Sequence, residues 1–139
     1  MLAKIPLPIR LPLIVMLIVL NTVVLVSTLL LASLLKWLVP FAGFNRLCER
    51  FILFLAEAWI SNNSWMMRNC TTSQVNYAED AQLDRQGHYL VLSNHQSWVD
   101  IIVLQAVFNR RIPFMRFFLK QQLIWVPLLG LAWRALDFP

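Results

Sequence analysis

The sequence predicts an α/β protein in which membrane-embedded amino-terminal helices precede the first part of an α/β sheet. Hydrophobic residues make up 59% of the 139 positions and charged residues only 14%, a composition typical of membrane proteins. A long uncharged run opens the chain, and strand and helix patterns alternate in its second half. We predict three regions: a hydrophobic membrane anchor helix (1–40), an amphipathic interfacial helix and loop (41–70), and a sheet-containing domain that begins at 71 and extends to 139.

The charge balance restricts the classes of partner. Twelve Lys and Arg residues against seven Asp and Glu give a formal net charge of +5. This excess fits an anionic membrane surface or a phosphate-bearing substrate. Nucleic acid is not an expected partner, because the basic residues are dispersed among apolar ones without a recognised reading motif. Cys48 and Cys70 have no metal or redox spacing, and we expect neither a metal site nor a bound cofactor.

The anchor is predicted from the run Leu11–Leu35, which contains no charged residue. About 20 apolar residues suffice to cross the hydrocarbon layer of a bilayer. The prolines before this run predict an extended start up to Arg10, and Pro40 is expected to stop the helix after Lys36 and Trp37. The run is too long for a signal peptide and lacks a small-residue cleavage site. Basic residues flank both ends, so a full crossing and a hairpin in one leaflet both stay open.

A second helix of a different kind is predicted over residues 41–60. Its apolar and charged side chains separate onto two faces at helical spacing. The apolar face contains Phe44, Leu47, Phe51, Phe54, Leu55 and Ala58, and the other face contains Arg46, Glu49, Arg50 and Glu57. Such an apolar face could pack on the rest of the domain or lie in the membrane interface, where aromatic and basic residues are favoured. The sequence favours neither.

The second half of the chain predicts the sheet. Polar residues from Ser61 to Gly87 indicate loops that end in a turn. The elements expected after that turn are a buried strand at 88–93, a helix from Ser97 to Phe108, a strand at 112–115 and a helix at 117–123.

The chemical centre of this half is the junction between the first strand and its helix. His95 follows the strand, and its unperturbed pKa lies close to physiological pH, so it can take a proton from a hydroxyl group. Asp100 lies on the first helical turn, from which its carboxylate can reach back to orient the imidazole. In an alternative interpretation, Ser97 and Asp100 form a capping box and Asp100 only satisfies backbone donors.

These residues carry a family resemblance. The run from Asn94-His95 to Asp100 resembles the NHxxxxD signature of the glycerolipid acyltransferases, which include the 1-acyl-glycerol-3-phosphate acyltransferases. Lys120, Leu123, Pro127 and Gly130 are similar to a KxxLxxxPxxG segment found downstream in that family. The surrounding residues look closest to a bacterial inner-membrane branch related to lysocardiolipin-type enzymes. The resemblance covers residues 75–139.

The resemblance implies transfer of a fatty acyl group from acyl-CoA, or acyl carrier protein, to the hydroxyl of a lysophospholipid. His95 would deprotonate the acceptor hydroxyl and Asp100 would stabilise the imidazolium. Asn94, Arg116 and Lys120 would position the turn or contact phosphates. The catalytic part would lie at the cytoplasmic face of a bacterial inner membrane.

The chain also departs from the family. Its members continue with a phenylalanine-arginine block and a Glu-Gly-Thr-Arg-like block, neither of which occurs in this sequence. We therefore expect an amino-terminal fragment, with a truncated acyltransferase domain at 71–139 and little activity of its own. The alternative function is a non-catalytic, membrane-anchored remnant or interaction protein. The preferred lysophospholipid and the oligomeric state stay open.

Overall fold

The computed structural model describes residues 6–71, 75–76, 82–94, 97–118 and 120–138. Its regular elements are helical: α1 (Leu7–Leu38), α2 (Ala42–Cys70), α3 (Trp98–Phe108), a 3₁₀ helix (Gln121–Trp125) and α4 (Leu129–Ala135). Two compact units divide the chain, one formed by residues 1–18 and 60–115 and the other by residues 19–59 and 116–139.

The predicted α/β sheet is wrong, because the described residues contain helices and no strand. Residues 88–94 and 112–115, both predicted to include strands, have no regular secondary structure. Leu90 and Leu92, expected in a buried strand, are 79% and 85% exposed. A strand forms stably only when a neighbour pairs with its backbone N–H and C=O groups. The alternating pattern predicted the strand, but a pattern within one segment does not supply that neighbour.

Helix α1 begins earlier than predicted. The amides of Ile9 and Arg10 donate to the carbonyl of Pro6 at 3.1 and 3.0 Å, so the extended start is wrong for residues 7–10. Pro8 fits the first turn, where no intrahelical amide donor is needed. The predicted stop is confirmed, since α1 ends at Leu38, two residues before Pro40. Helix α1 is long and apolar enough to cross a membrane, and only 11% of its most apolar stretch is buried within the protein.

Helix α2 continues through a segment that was predicted to be a loop. It runs to Cys70, so the loop prediction is wrong for residues 61–70. The polar side chains responsible for that prediction bond to carbonyls of their own helix. The Ser64 hydroxyl donates to Ile60 at 2.8 Å and the Asn69 amide to Trp65 at 2.9 Å. Such bonds allow Ser and Asn to lie within a helix without leaving their polar atoms unpaired.

Within the unit of residues 19–59 and 116–139, the two long helices form an antiparallel hairpin. A short connection at 39–41 joins them, and Lys36 pairs with Glu49 at 2.9 Å near this connection. Farther along, the indole N–H of Trp59 donates to the Thr22 hydroxyl at 3.0 Å. The hairpin thus has polar contacts at two levels of an otherwise apolar interface.

Packing of α2 against α1 buries some of the apolar side chains of α2 and leaves others exposed. Cys48, Ile52, Leu55 and Ala56 are buried, and on α1 the buried residues are Val26, Leu29 and Ala32. Leu47, Phe51 and Phe54, which were predicted to share one apolar face with Leu55, are exposed. The predicted face is therefore divided: one stripe is in the core and an adjacent stripe remains uncovered by the protein.

Candidate active site

The site residues nearest to the predicted chemistry lie at the start of α3. Ser97 is the N-cap in an extended conformation, and the helix begins at Trp98, in agreement with the prediction. The backbone N–H of Ser97 donates to a carboxylate oxygen of Asp100 at 2.8 Å. An amide at a helix start has no carbonyl partner within the helix, and a side chain at the third position can satisfy it. Asp100 therefore caps α3.

Capping does not decide whether Asp100 also serves catalysis. A carboxylate has two oxygen atoms, and the bond from Ser97 occupies one site on one of them. The second predicted function requires a bond to His95, which lies outside the described residues together with Gln96. The pairing of His95 with Asp100 therefore stays a prediction.

The C-terminal end of α3 is also fixed. The backbone N–H of Asn109 donates to Gln105 at 2.9 Å, and its side-chain amide donates to the Ser61 hydroxyl of α2 at 2.9 Å. Arg110 then takes a positive φ of 61°, which ends the helix, and Ile112 is buried. Because α3 is capped at one end and held by α2 at the other, the carboxylate of Asp100 stands on an anchored helix.

Asn94 precedes this helix on an exposed segment without regular secondary structure. The segment follows a turn in which the amide of Gln86 donates to the Asp84 carboxylate at 2.9 Å. The turn prediction at 85–87 is thus confirmed, whereas the strand expected between it and Asn94 is not formed. The role of Asn94 in positioning the turn stays a prediction.

The second motif begins at Lys120, an exposed residue that precedes the 3₁₀ helix and accepts a bond from the amide of Leu123 at 2.9 Å. The helix predicted at 117–123 is replaced by this shorter element at 121–125. A tight turn follows, in which the amide of Leu129 donates to Pro127 at 2.7 Å and Leu128 has φ 63° and ψ −52°. These angles are those of a γ-turn, a strained conformation for a residue with a side chain. The motif thus contains a strained backbone position that sequence reasoning missed.

The structure explains why the second motif has glycine at position 130. It is buried in the first turn of α4, and a Cβ atom placed there would overlap the backbone carbonyl of Ile124. Glycine is required because only its lack of a side chain permits this approach between α4 and the 3₁₀ helix. In this motif, therefore, Gly130 supports local packing, and exposed Lys120 is the member whose charge is available at the surface.

Arg116 has a structural contact that was not foreseen. Its Nε donates to the carbonyl of Leu136, just beyond α4, at 2.9 Å. The guanidinium group has further N–H donors in its planar fork, so this bond is compatible with phosphate binding but does not indicate it. The substrate-binding roles of Arg116 and Lys120 stay predictions.

Two exposed aromatic residues near Lys120 were also missed. Phe118 and Trp125 are 88% and 82% exposed. Aromatic side chains beside a basic one are favoured at the boundary between a membrane and water. The sequence signal was the grouping of three aromatic residues with Arg116 and Lys120 within residues 116–125.

The predicted site residues fall into both units of the chain. Asn94 and Asp100 belong to the unit of residues 60–115, and Arg116 and Lys120 belong to the unit that contains residues 116–139. Among the described residues, no three His, Cys, Asp or Glu side chains are grouped as metal ligands. Because His95 is not among them, the expectation of a metal-free site stays a prediction.

Comparison with known proteins gives one family match for this region. Residues 74–138 match the family model described as Acyltransferase. The match supports the glycerolipid acyltransferase family and a general acyltransferase function for a segment that contains both motifs. Searches among curated proteins and solved structures found no significant match.

Proposed function

We propose that the protein moves a fatty acyl group from acyl-CoA, or from acyl carrier protein, to the hydroxyl of a lysophospholipid such as 1-acyl-glycerol-3-phosphate. The family match over residues 74–138 carries this proposal. It includes the Asn94-His95 to Asp100 signature and the segment from Lys120 to Gly130. The reaction belongs to phospholipid biosynthesis or remodelling.

The proposed reaction is a direct transfer. His95 accepts the proton of the acceptor hydroxyl, and the oxygen attacks the carbonyl carbon of the thioester. The carbon–sulfur bond then breaks, and the departing thiolate takes the proton back from His95. Asp100 holds the imidazole in the correct tautomer and stabilises its positive charge. Its place on the capped start of α3 supports this role, because a fixed carboxylate can orient a partner without losing conformational entropy during the reaction.

Substrate binding would use Lys120 of the second motif and Arg116, which precedes that motif. Lys120 is exposed and presents a point charge suited to a phosphate group of the lysophospholipid or of CoA. Arg116 would contribute the guanidinium N–H donors other than Nε, which donates to the Leu136 carbonyl. Asn94 would position the backbone turn that carries His95.

The reaction would take place at a membrane. Helix α1 is compatible with membrane association by its length and apolar composition. We infer a bacterial inner membrane, with the catalytic residues at the cytoplasmic face, because the family resemblance points to that branch and the substrates are a lipid and a soluble acyl donor. The exposed aromatic residues Phe118 and Trp125 support a surface that contacts lipid headgroups.

The test compares the two histidines of the chain. The purified protein in lipid vesicles is supplied with labelled 1-acyl-glycerol-3-phosphate and acyl-CoA, and the formation of phosphatidic acid is measured. Loss of the general base in His95→Ala should lower the rate by about 10²–10⁴-fold. The control His88→Ala changes an exposed residue outside the motif and should leave the rate unchanged. If the unchanged protein forms phosphatidic acid and His95→Ala forms it at the same rate, His95 is not part of the mechanism.

A second candidate is a non-catalytic, membrane-anchored protein. The observation that favours it is the bond from Ser97 to Asp100, which gives the acidic member of the signature a structural use. This candidate predicts no thioester consumption with any lysophospholipid and no effect of His95→Ala. The same vesicle assay separates the two functions.

A further inference from the structure

An apolar groove lies on the helical hairpin within the unit of residues 19–59 and 116–139. It has a volume of about 350 Å³, which is within the range of small-molecule binding sites. Four residues from each long helix line this hairpin groove: Thr28, Leu31, Ala32 and Leu35 from α1, and Phe44, Leu47, Cys48 and Phe51 from α2. The Thr28 hydroxyl donates to its own helix at Val24, so the groove has no polar group directed to a ligand among these side chains.

The hairpin groove continues into an exposed apolar surface. Leu31 and Leu35 on one wall and Leu47 and Phe51 on the other are exposed along its opening. The apolar residues of α1 are likewise exposed over nearly its whole length. A surface of this extent is not stable in water, and it indicates an apolar neighbour such as lipid hydrocarbon. The chemistry of the groove therefore suits a flexible alkyl chain.

The charges beside the hairpin groove restrict the kind of lipid. Arg46 and Arg50 are exposed on α2 next to the groove residue Leu47. Side chains on a helix lean towards its N-terminus, which for α2 is the connection at 39–41. Trp37 and Phe41 are exposed at that connection, as expected for residues at headgroup level. The two arginines and this aromatic pair are exposed in the half of the hairpin nearest its connection, and together they suit a negatively charged headgroup.

The same charges argue against a second copy of this chain as the occupant. In a symmetric dimer, each patch meets its own copy. Both copies would then bring Arg46 and Arg50 into one interface, and each chain as a whole carries a formal charge of +5. Like charges brought together at an interface disfavour that association. An anionic lipid instead supplies opposite charge beside the two arginines and apolar surface in the groove.

We propose that the hairpin groove binds one acyl chain of an anionic phospholipid, whose phosphate lies beside Arg46 and Arg50. This site differs from the acyl-transfer site, because its ligand is a resident lipid rather than a substrate. It rests on the membrane association proposed above and not on catalysis. Bound in this way, the lipid covers the exposed stripe of α2 and orients the hairpin with its connection towards the headgroups.

The test uses two photoreactive lipids with the same diazirine-bearing acyl chain, phosphatidylglycerol and phosphatidylcholine. The protein is illuminated in vesicles that contain one or the other, and the labelled residues are located by mass spectrometry. Residues 28–35 and 44–51 should be labelled more strongly with phosphatidylglycerol, whereas residues 11–24 of α1 should be labelled equally with both. Equal labelling of the groove by both lipids would show nonspecific solvation and overturn the proposal.

Two variants locate the headgroup and the chain separately. Arg50→Gln should lower groove labelling by phosphatidylglycerol about fivefold, which corresponds to roughly the contribution of one cation near an anionic surface. Its control, Arg68→Gln, removes an exposed charge from the same helix away from the groove and should have no effect. Ala32→Phe fills the groove and should abolish its labelling, whereas Leu34→Phe adds a ring at an exposed position outside it.

The labelling experiment tests the lipid site independently of the proposed enzyme function. Because Arg50→Gln changes only an exposed residue, it keeps the test valid even if Ala32→Phe disturbs the hairpin. Groove labelling that is insensitive to both variants, or cross-linking of the groove to a second copy of the chain, would overturn the lipid site. Neither result bears on phosphatidic acid formation, which is measured separately, and a protein without acyl transfer could still show the labelling.

Discussion

The helical hairpin and the segment at 82–94 differ in how their backbone N–H and C=O groups find hydrogen-bond partners. In α1 and α2 the helix itself supplies the partners, so both elements form over long stretches and leave apolar side chains uncovered. The segment at 82–94 would need another strand, and it remains irregular with Leu90 and Leu92 exposed. Local sequence is sufficient for a helix, whereas a strand depends on distant residues.

The comparison extends to function. The hairpin contributes apolar surface and few chemical groups, whereas Asp100 and Lys120 stand on or beside short elements that are fixed by individual hydrogen bonds. If this is correct, substitutions in the signature should lower activity much more than stability. Substitutions in the hairpin and at close-packed positions should lower stability first.

The largest expected effect is that of Asp100→Asn on activity. An asparagine oxygen can still accept the Ser97 N–H, so the free energy of unfolding should fall by less than about 1 kcal/mol. The lost negative charge no longer stabilises a protonated His95, and acyl transfer should fall by up to about 10⁴-fold. Phosphatidic acid formation and thermal unfolding, measured on the same preparation, give the two quantities.

Asp100→Ala completes that experiment, because it removes the cap and the charge together. It should lose activity as Asp100→Asn does and should also be less stable. If the activity of Asp100→Asn is instead reduced only in proportion to its unfolded fraction, the carboxylate is a helix cap and the proposed catalytic role is wrong.

A smaller effect, on stability, is expected at Gly130. The methyl group of Gly130→Ala would overlap the backbone carbonyl of Ile124, and a backbone atom cannot move aside as a side chain can. Overpacking of this kind lowers the free energy of unfolding by about 1–3 kcal/mol. Circular dichroism during thermal unfolding in one detergent measures the change.

Gly43 offers a matched control for this prediction. A Cβ atom at Gly43 would meet only the ring of Phe41, at 3.0 Å, and that exposed side chain can shift. Alanine is also the better helix former, so Gly43→Ala should be neutral or slightly stabilising. Equal destabilisation by the two substitutions would contradict a special packing role for Gly130.

These examples show what the sequence could establish about the fold. The uncharged run predicted α1, Pro40 predicted its end, and Ser97 with Asp100 predicted the start of α3, because each signal acts within a few residues. The last ten residues of α2 were misread as a loop, since composition does not show that Ser64 and Asn69 bond to their own helix. The sheet was mispredicted because its stability depends on pairing that one segment does not encode.

For the candidate site, too, the sequence predicted the motifs but not the contacts between residues. Spacing identified the signature and the second motif, and the family match covers both. Sequence could not show that Gly130 approaches a carbonyl, that Leu128 is strained or that Arg116 bonds to Leu136, because those contacts join residues through the folded backbone. Sequence alone also could not show that the aromatic residues Phe118 and Trp125 are exposed rather than part of a core.

The smallest of the expected effects concerns the polar contact within the hairpin. The indole N–H of Trp59 donates to the Thr22 hydroxyl at 3.0 Å, and the Asn21 amide donates to the Trp59 carbonyl at 3.4 Å. Hydrogen bonds between helices in an apolar environment contribute about 0.6 kcal/mol on average and at most about 1.7 kcal/mol. A double-mutant cycle of Trp59→Phe and Thr22→Val should therefore give a coupling free energy of about 1 kcal/mol.

Trp65→Phe is the control for this cycle, because Trp65 is an exposed indole on the same helix. Its coupling to Thr22→Val should be close to zero. A coupling of similar size for both tryptophans would mean that the substitutions act through general helix stability or the unfolded chain rather than through the bond. A coupling confined to Trp59 would show that this polar contact helps to specify the register of the two helices in a hairpin with an extensively exposed apolar surface, because burial of apolar area alone favours no particular register.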